Sequence, residues 1–261
     1  MQPSKLMRRS VLGLALLLAS GTAYAADLVV GANVGNVPWE FQDETGKFVG
    51  FEVELVQEAA KGMGLTPRFE NIPFNGLFPA VQSGRVQAAI SSITITPTRL
   101  QSLSFTQPYY DSDQSLAVAA RGGLANLGAM KGKVVGVDTA STGDQWATAN
   151  QAKYGFSEIK RYGGLAPAML DLQAGRIDGY VSDIPAVQYY IRDKPQFRVA
   201  ERIPTGERYG VMFAKNSPLA AQFDAEITKM KQSGFLAALH QKWFGAAPDA
   251  GSSTVTAMPM P

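Results

Sequence analysis

The sequence predicts an α/β chain of two lobes, and three observations carry that prediction. Short apolar runs suited to buried strands alternate with stretches of helical periodicity. The alternation occurs in two separate sets, with further apolar runs between and after them. About 220 structured residues exceed a typical single domain, yet suit two lobes of roughly 100 residues, each large enough to bury its own core.

In the first set, Leu28-Val29-Val30-Gly31 reads as a buried strand, and Phe51 to Lys61 follows with apolar residues at helical spacing until Gly62 and Gly64 stop it. The unit repeats as a strand over Thr66 to Glu70, a helix from near Gly76 to just before Gly84, and a strand over Ala88 to Ile93. The second set opens with Val134-Val135-Gly136-Val137. It continues with helices over Asp144 to Lys153 and Ala166 to Ala174, and a strand at Gly179-Tyr180-Val181. Two α/β layers fit this order better than an all-β or bundle pattern. Ser115 to Ala120, leading into Arg121-Gly122-Gly123, and Tyr209 to Phe213 read as two strands passing between lobes, which would make a hinge. Leu219 to Phe244 is amphipathic, and residues 246–261, rich in Pro, Ser and Ala without periodicity, read as a disordered tail.

Residues 1–25 read as a cleavable export signal: Lys5, Arg8 and Arg9 precede an apolar run from Val11 to Ala19, and Ala23-Tyr24-Ala25 marks the cleavage site. The run is about half the roughly 20 residues a membrane span needs. No Cys follows it, so a lipid anchor is not expected and the product should be periplasmic. Removing those three bases turns the formal charge of +2 into −1, which gives no reason to invoke nucleic acid or anionic lipid. With no Cys and one His, His240, disulfides, a zinc site and a His-based triad are set aside. Gly31 and Gly35 lack the dinucleotide-binding order and there is no Walker sequence, so no cofactor is expected.

The run Ser91-Ser92-Ile93-Thr94-Ile95-Thr96-Pro97-Thr98-Arg99 sets hydroxyls and one guanidinium beside an apolar strand. Arg presents a rigid fork of donors matching a carboxylate, and neighbouring hydroxyls can complete that anion's hydrogen bonds. Asp183 ends the strand of Arg176-Ile177-Asp178-Gly179-Tyr180-Val181-Ser182-Asp183-Ile184-Pro185, where ligands collect in open α/β sheets. Its carboxylate can hold an ammonium, or it can cap the helix that Ile184-Pro185 begins. Thr139 to Asp144 joins a strand to a helix, so its amides and hydroxyls can surround an anion or simply cap that helix.

The Ser91 to Arg99 run, with Phe105-Thr106-Gln107-Pro108-Tyr109-Tyr110, resembles the amino-acid-binding segment of the periplasmic solute-binding proteins that serve polar amino acid ABC transporters, family 3 with the type II two-lobed fold. Gly50-Phe51-Glu52-Val53-Glu54-Leu55, the Asp178 to Asp183 motif and Lys242-Trp243-Phe244-Gly245 resemble the same family, so the likeness runs from about Val29 to Gly245.

The resemblance implies that the first lobe is discontinuous: signal 1–25, first lobe 26–117, second lobe 118–207, first lobe again 208–245, tail 246–261. It implies that Ser92, Thr94 and Arg99 hold a ligand carboxylate with Ser141 and Thr142, although Ala140 stands where Gly is usual. Asp183, with Ser182 beside it, falls on the ammonium-binding position, whereas Asp178 reads as structural. Asn33, Asn36, Phe74 and Asp138 fall on positions that face the ligand's side chain; both Asn residues replace an Asp and an aromatic, a polar pocket that favours glutamine, arginine or a close relative over glutamate or leucine. The implied role is capture of a free polar amino acid by a monomer and its delivery to an inner-membrane permease and ATPase. Two alternatives stand beside it: a sensory receptor, and a dehydratase acting on arogenate-like cyclic acids, whose Glu three residues after Asp183 is here Ala186.

Overall fold

The computed structural model describes residues 26–122 and 124–261; the export signal expected over 1–25 lies outside them, as does Gly123. In chain order the elements are β1 (Ala26–Ala32), β2 (Phe41–Gln42), β3 (Phe48–Val49), α1 (Phe51–Gly62), β4 (Leu65–Asn71), α2 (Phe74–Gln82), β5 (Ala88–Ile90), α3 (Pro97–Leu100), β6 (Leu103–Phe105) and β7 (Tyr110–Ala119). Then come β8 (Val134–Asp138), α4 (Thr142–Tyr154), β9 (Glu158–Tyr162), α5 (Leu165–Gln173), β10 (Gly179–Asp183), α6 (Ile184–Ile191), β11 (Phe197–Tyr209), β12 (Met212–Ala214), α7 (Pro218–Gln232) and α8 (Phe235–Phe244). They build two five-stranded sheets, ordered β4-β1-β5-β12-β6 and β11-β7-β10-β8-β9.

In the first sheet β1 runs parallel to β4 and β5, while β12 pairs antiparallel with β5 and β6. In the second, β8 runs parallel to β9 and β10, and β7 lies antiparallel between β10 and β11. A strand covered on both faces reads as a continuous apolar run, which is why Leu28 to Gly31 and Val134 to Val137 were legible. Each sheet carries apolar clusters around Val30, Phe51 and Phe213, around Leu77 and Phe105, around Val135 and Val181, or around Met169 and Tyr180.

Sheet membership changes between Phe105 and Tyr110 and changes back between Tyr209 and Met212. The boundary expected at 117/118 therefore falls inside β7. The strand begins earlier than its apolar stretch because Asp111 to Gln114, though polar, pair with β11 or with the end of β10. At the second crossing a Cβ on Gly210 would sit 2.9 Å from the Ile95 side chain and 3.2 Å from the Thr106 carbonyl, so the chain passes there only without one.

Four other expectations change. The strand expected over Ala88 to Ile93 stops at Ile90, because Ser92 adopts φ 44° and turns the backbone out of the sheet; Arg99 rides on the short helix α3 instead. The helix expected from Gly76 starts at Phe74, after Pro73. The amphipathic stretch from Leu219 is two helices, divided at Gly234 with φ 77°. The tail expected to be disordered is packed on the first lobe: Ser253 and Thr254 are buried, Ser253 N–H donates to Asp111 at 2.7 Å, Met258 N–H donates to Gln107 at 3.0 Å, and the buried Lys231 donates to the Thr256 carbonyl at 2.9 Å. Aperiodic turns order when side chains elsewhere satisfy their backbone groups. Removing residues 247–261 is expected to cost about 2 kcal/mol, on the order of 5 °C in Tm; an unchanged melting point would return the tail to the disordered class.

Candidate functional site

The carboxyl ends of the parallel strands of both sheets meet at one cavity, the place where open α/β sheets bind ligands. Asn33 follows β1, Ser91 and Ser92 follow β5, Asp138 ends β8 and Asp183 ends β10. All eleven residues singled out in the sequence line it: Asn33, Asn36, Phe74, Ser92, Thr94 and Arg99 from the first lobe, and Asp138, Ser141, Thr142, Ser182 and Asp183 from the second. About 160 Å³ of it is open to the centres of water molecules, room for on the order of ten waters.

Arg99 is 7 % exposed. One guanidinium nitrogen donates to the Thr94 carbonyl at 2.7 Å and another reaches the Ala140 carbonyl of the second lobe at 3.4 Å. Its carbon lies 4.9 Å from the Phe78 ring centre and 5.7 Å from that of Phe74, so two aromatic faces hold it. Burial lowers its pKa to about 10, while Asp183 and Glu207 oppose that shift; it stays charged at neutral pH, with donors left over for an anion.

Asp183 occupies the N-cap position of α6 but makes no capping hydrogen bond. Its carboxylate instead accepts from Tyr209 Oη at 2.7 Å and from Gln114 Nε2, beside the cavity. Burial raises its pKa to about 8, with repulsion from Glu207 adding to the shift and the two hydrogen bonds opposing it. Asp138 accepts from Tyr180 Oη at 2.7 Å, and its other oxygen is buried without a partner among the described residues. Burial lifts it to about 7. Asp178, read as structural, accepts from the Val134 N–H at 2.9 Å.

Ser141 does cap its helix, its Oγ accepting from Asp144 N–H at 3.0 Å, so part of its hydrogen-bonding capacity is already used. Ala140 takes the left-handed φ of 64° that a Gly would take without strain. Thr142 Oγ1 donates to Glu207 at 2.9 Å, and Thr94 Oγ1 donates to the same carboxylate at 2.8 Å. Glu207, on the crossing strand β11, thus joins the two lobes behind the cavity, with Gln114 of β7 donating to it at 3.0 Å. Sequence reading missed both residues. Both lie just ahead of the stretches expected as connecting strands, Ser115 to Ala120 and Tyr209 to Phe213, in polar sequence that β7 and β11 include. It also missed β9 and the following Gly163 to Pro167 segment, which lines the cavity, because Glu158 to Tyr162 is polar on its exposed face. Ser91 lines the cavity as well. No group of three or more potential metal ligands occurs among the described residues, and none of their helices is long and apolar enough to cross a membrane.

The chain is similar to known proteins over most of its length. Residues 28–246 match the bacterial extracellular solute-binding proteins, family 3. The L-arginine-binding protein of Pseudomonas aeruginosa is 30% identical over 245 residues, covering 88% of this chain and 93% of its own. The crystal structure of the arginine-, lysine-, histidine-binding protein ArtJ from Geobacillus stearothermophilus superposes with a TM-score of 0.79 at 33% identity, covering 85% of this chain and 97% of that one. An ancestral arginine-binding protein bound to glutamine gives 0.79 at 32%, covering 85% and 100%.

Proposed function

We propose that this chain, which belongs to the bacterial extracellular solute-binding proteins of family 3, captures a single polar L-amino acid with a basic or amide side chain and hands it to an ABC importer. One observation carries the reading: a buried guanidinium, Arg99, and a half-buried carboxylate, Asp183, that caps no helix line the same cavity from opposite lobes. That is the charge pattern of an amino acid's own carboxylate and ammonium, with Ser92, Thr94, Ser141 and Thr142 supplying hydroxyls around the carboxylate.

Hinge closure is the documented motion of periplasmic binding proteins as a class, and is taken from the class rather than derived from one structure. What this chain contributes is the means of biasing it. A ligand spanning the cavity gains its full set of contacts only when the lobes meet, and that difference in contact shifts the population. Covalent chemistry has no part in the proposed role, and the Ala186 methyl lies on the cavity wall where the dehydratase-like relatives carry Glu. The chain is proposed to work as a monomer in the periplasm after removal of residues 1–25, with an inner-membrane permease and its ATPase as partners.

The side-chain end of the cavity contains Asn33, Asn36 and Asp138. A cationic or amide side chain satisfies Asn33 and the partnerless Asp138 oxygen; a second carboxylate meets Asp138 as a like charge, and a large apolar chain leaves that buried oxygen unpaired at about 1 to 3 kcal/mol. The relatives named for arginine and the ancestral protein holding glutamine support the same choice. In a thermal-shift and calorimetric series, arginine or glutamine is expected to bind more tightly than glutamate or leucine. Glutamate or leucine as the tightest ligand would overturn this assignment of the pocket.

A further inference from the structure

Behind the first lobe's side of the cavity lie two carboxyl groups that form no ion pair among the described residues. Glu40 and Glu52 are both fully buried. Glu40 Oε1 accepts from Ser91 Oγ at 2.6 Å and from Asn36 Nδ2 at 3.2 Å. Glu52 Oε1 accepts from the Ser92 N–H at 2.8 Å and from Tyr109 Oη. The remaining oxygen of each acid is buried with no hydrogen-bond partner among the described residues, and each carboxyl group acts on the other's protonation. Two ionised carboxylates in a dry site repel, and an isolated buried charge is costly, so the stable arrangement is one proton held between them.

Three cavity residues hang on this pair. Ser92 sits at φ 44°, a strained setting for a residue with a side chain, and its N–H is tied to Glu52. Its Oγ accepts from Asn36 Nδ2 at 3.1 Å, and that same amide is tied to Glu40. Ser91, adjacent in the chain, is tied to Glu40 directly.

We propose that Glu40 and Glu52 are positioning residues that share a single proton and hold Asn36, Ser91 and Ser92 in their cavity-facing geometry, so that losing the proton at alkaline pH loosens the first lobe's grip on its ligand. This deepens the amino-acid reading and rests on it. Burial, reinforced by repulsion from Glu52, lifts Glu40 well above the ordinary glutamate range, and burial lifts Glu52 too. Acids whose pKa rises on folding contribute stability that is complete below the unfolded value and is lost as pH climbs through the folded one. Besides each other, the one titratable group that hydrogen-bonds to the pair among the described residues is Tyr109, through Glu52, and it is itself raised by burial and by both carboxylates. Arg99, Asp138 and Asp183 titrate on the cavity side and are unchanged in the variants below.

The test compares wild type, Glu40→Gln and Glu40→Ala, first by thermal melting without ligand and then by calorimetry with L-arginine, from about pH 6 to about pH 9. An amide reproduces the protonated acid: it donates to Glu52 and accepts from Ser91 and Asn36. Glu40→Gln is therefore expected to keep the affinity that Glu40→Ala loses by on the order of tenfold, a loss usual for an outer-shell partner. It is also expected to remove the alkaline decline in both melting point and affinity that wild type shows. Glu52→Gln supplies the same hydrogen and repeats the test. Equal losses in the Gln and Ala variants, or wild-type and Gln profiles parallel in pH, would overturn the proposal. So would failure of both Gln variants to fold. If wild type binds no amino acid, the functional reading fails and the positioning role falls with it, while the ligand-free melts still decide whether a proton is shared.

Discussion

Arg99→Ala is expected to remove measurable amino-acid binding and leave the fold intact. The guanidinium is held at a fixed place by the Thr94 carbonyl and the Phe78 and Phe74 rings, so its free donors are already aimed before a ligand arrives. Ligand carboxylate bound there is withdrawn from water, and removing one partner of a desolvated charge pair leaves the other unpaired, at several kcal/mol. A micromolar ligand binds with only about 8 kcal/mol in total, so such a loss carries affinity beyond ordinary detection. Truncation also removes the 3.4 Å contact to the Ala140 carbonyl across the lobes, which weakens closure in the same direction. The fold survives because the side chain lines a cavity rather than filling a core. Calorimetry, with circular dichroism as the check on folding, decides it: binding within about tenfold of wild type would sink the assignment.

Arg99 and Asp183 were legible because each ends a recognisable local pattern, and the site gathers at the ends of strands. The pieces that escaped share a different property. Glu52 reads in sequence as the acid in the first turn of a helix, a position usually solvated, and nothing in the periodicity of Phe51 to Lys61 tells that this turn points inward at Glu40. Gln114 and Glu207 lie on strands paired in an extended ladder of the hinge, where the polar face turns toward the cavity instead of toward solvent. Ser92 ended β5 early through its own backbone angle, which composition does not encode. The tail followed the same logic, ordered by Asp111, Gln107 and Lys231 far away in sequence. Elements set by local pattern were readable; those set by long-range polar partners were not.

Asp183→Asn is expected to weaken amino acids strongly while sparing the same molecules without their α-ammonium. The substitution keeps size and one of the two hydrogen bonds: a carboxamide oxygen still accepts from Tyr209, while the bond from Gln114 is given up. What it removes is the charge that pairs with the ammonium, and truncating one partner of a buried pair costs about 2 to 5 kcal/mol, roughly 30-fold or more in affinity. The pH dependence gives an independent reading. In the empty site burial and the nearby Glu207 raise Asp183 to about 8; a bound ammonium favours the ionised form and lowers it again. Capture near neutral pH therefore releases a proton, and the part of the affinity that Asp183 controls rises with pH from the bound-state value up to about 8 and then levels off, superimposed on the alkaline loss proposed for the Glu40–Glu52 pair. The slope approaches tenfold per pH unit at most when one proton is involved. Asn cannot titrate, so in the variant this portion of the slope disappears, whereas the contribution of Asp138, raised to about 7 by burial, is common to both proteins and cancels. Calorimetry in buffers of different ionisation enthalpy counts the released protons directly. If the variant loses amino acids and deaminated analogues equally, or keeps the wild-type proton release, Asp183 is not the ammonium site and the charge pairing belongs to Asp138 or Glu207.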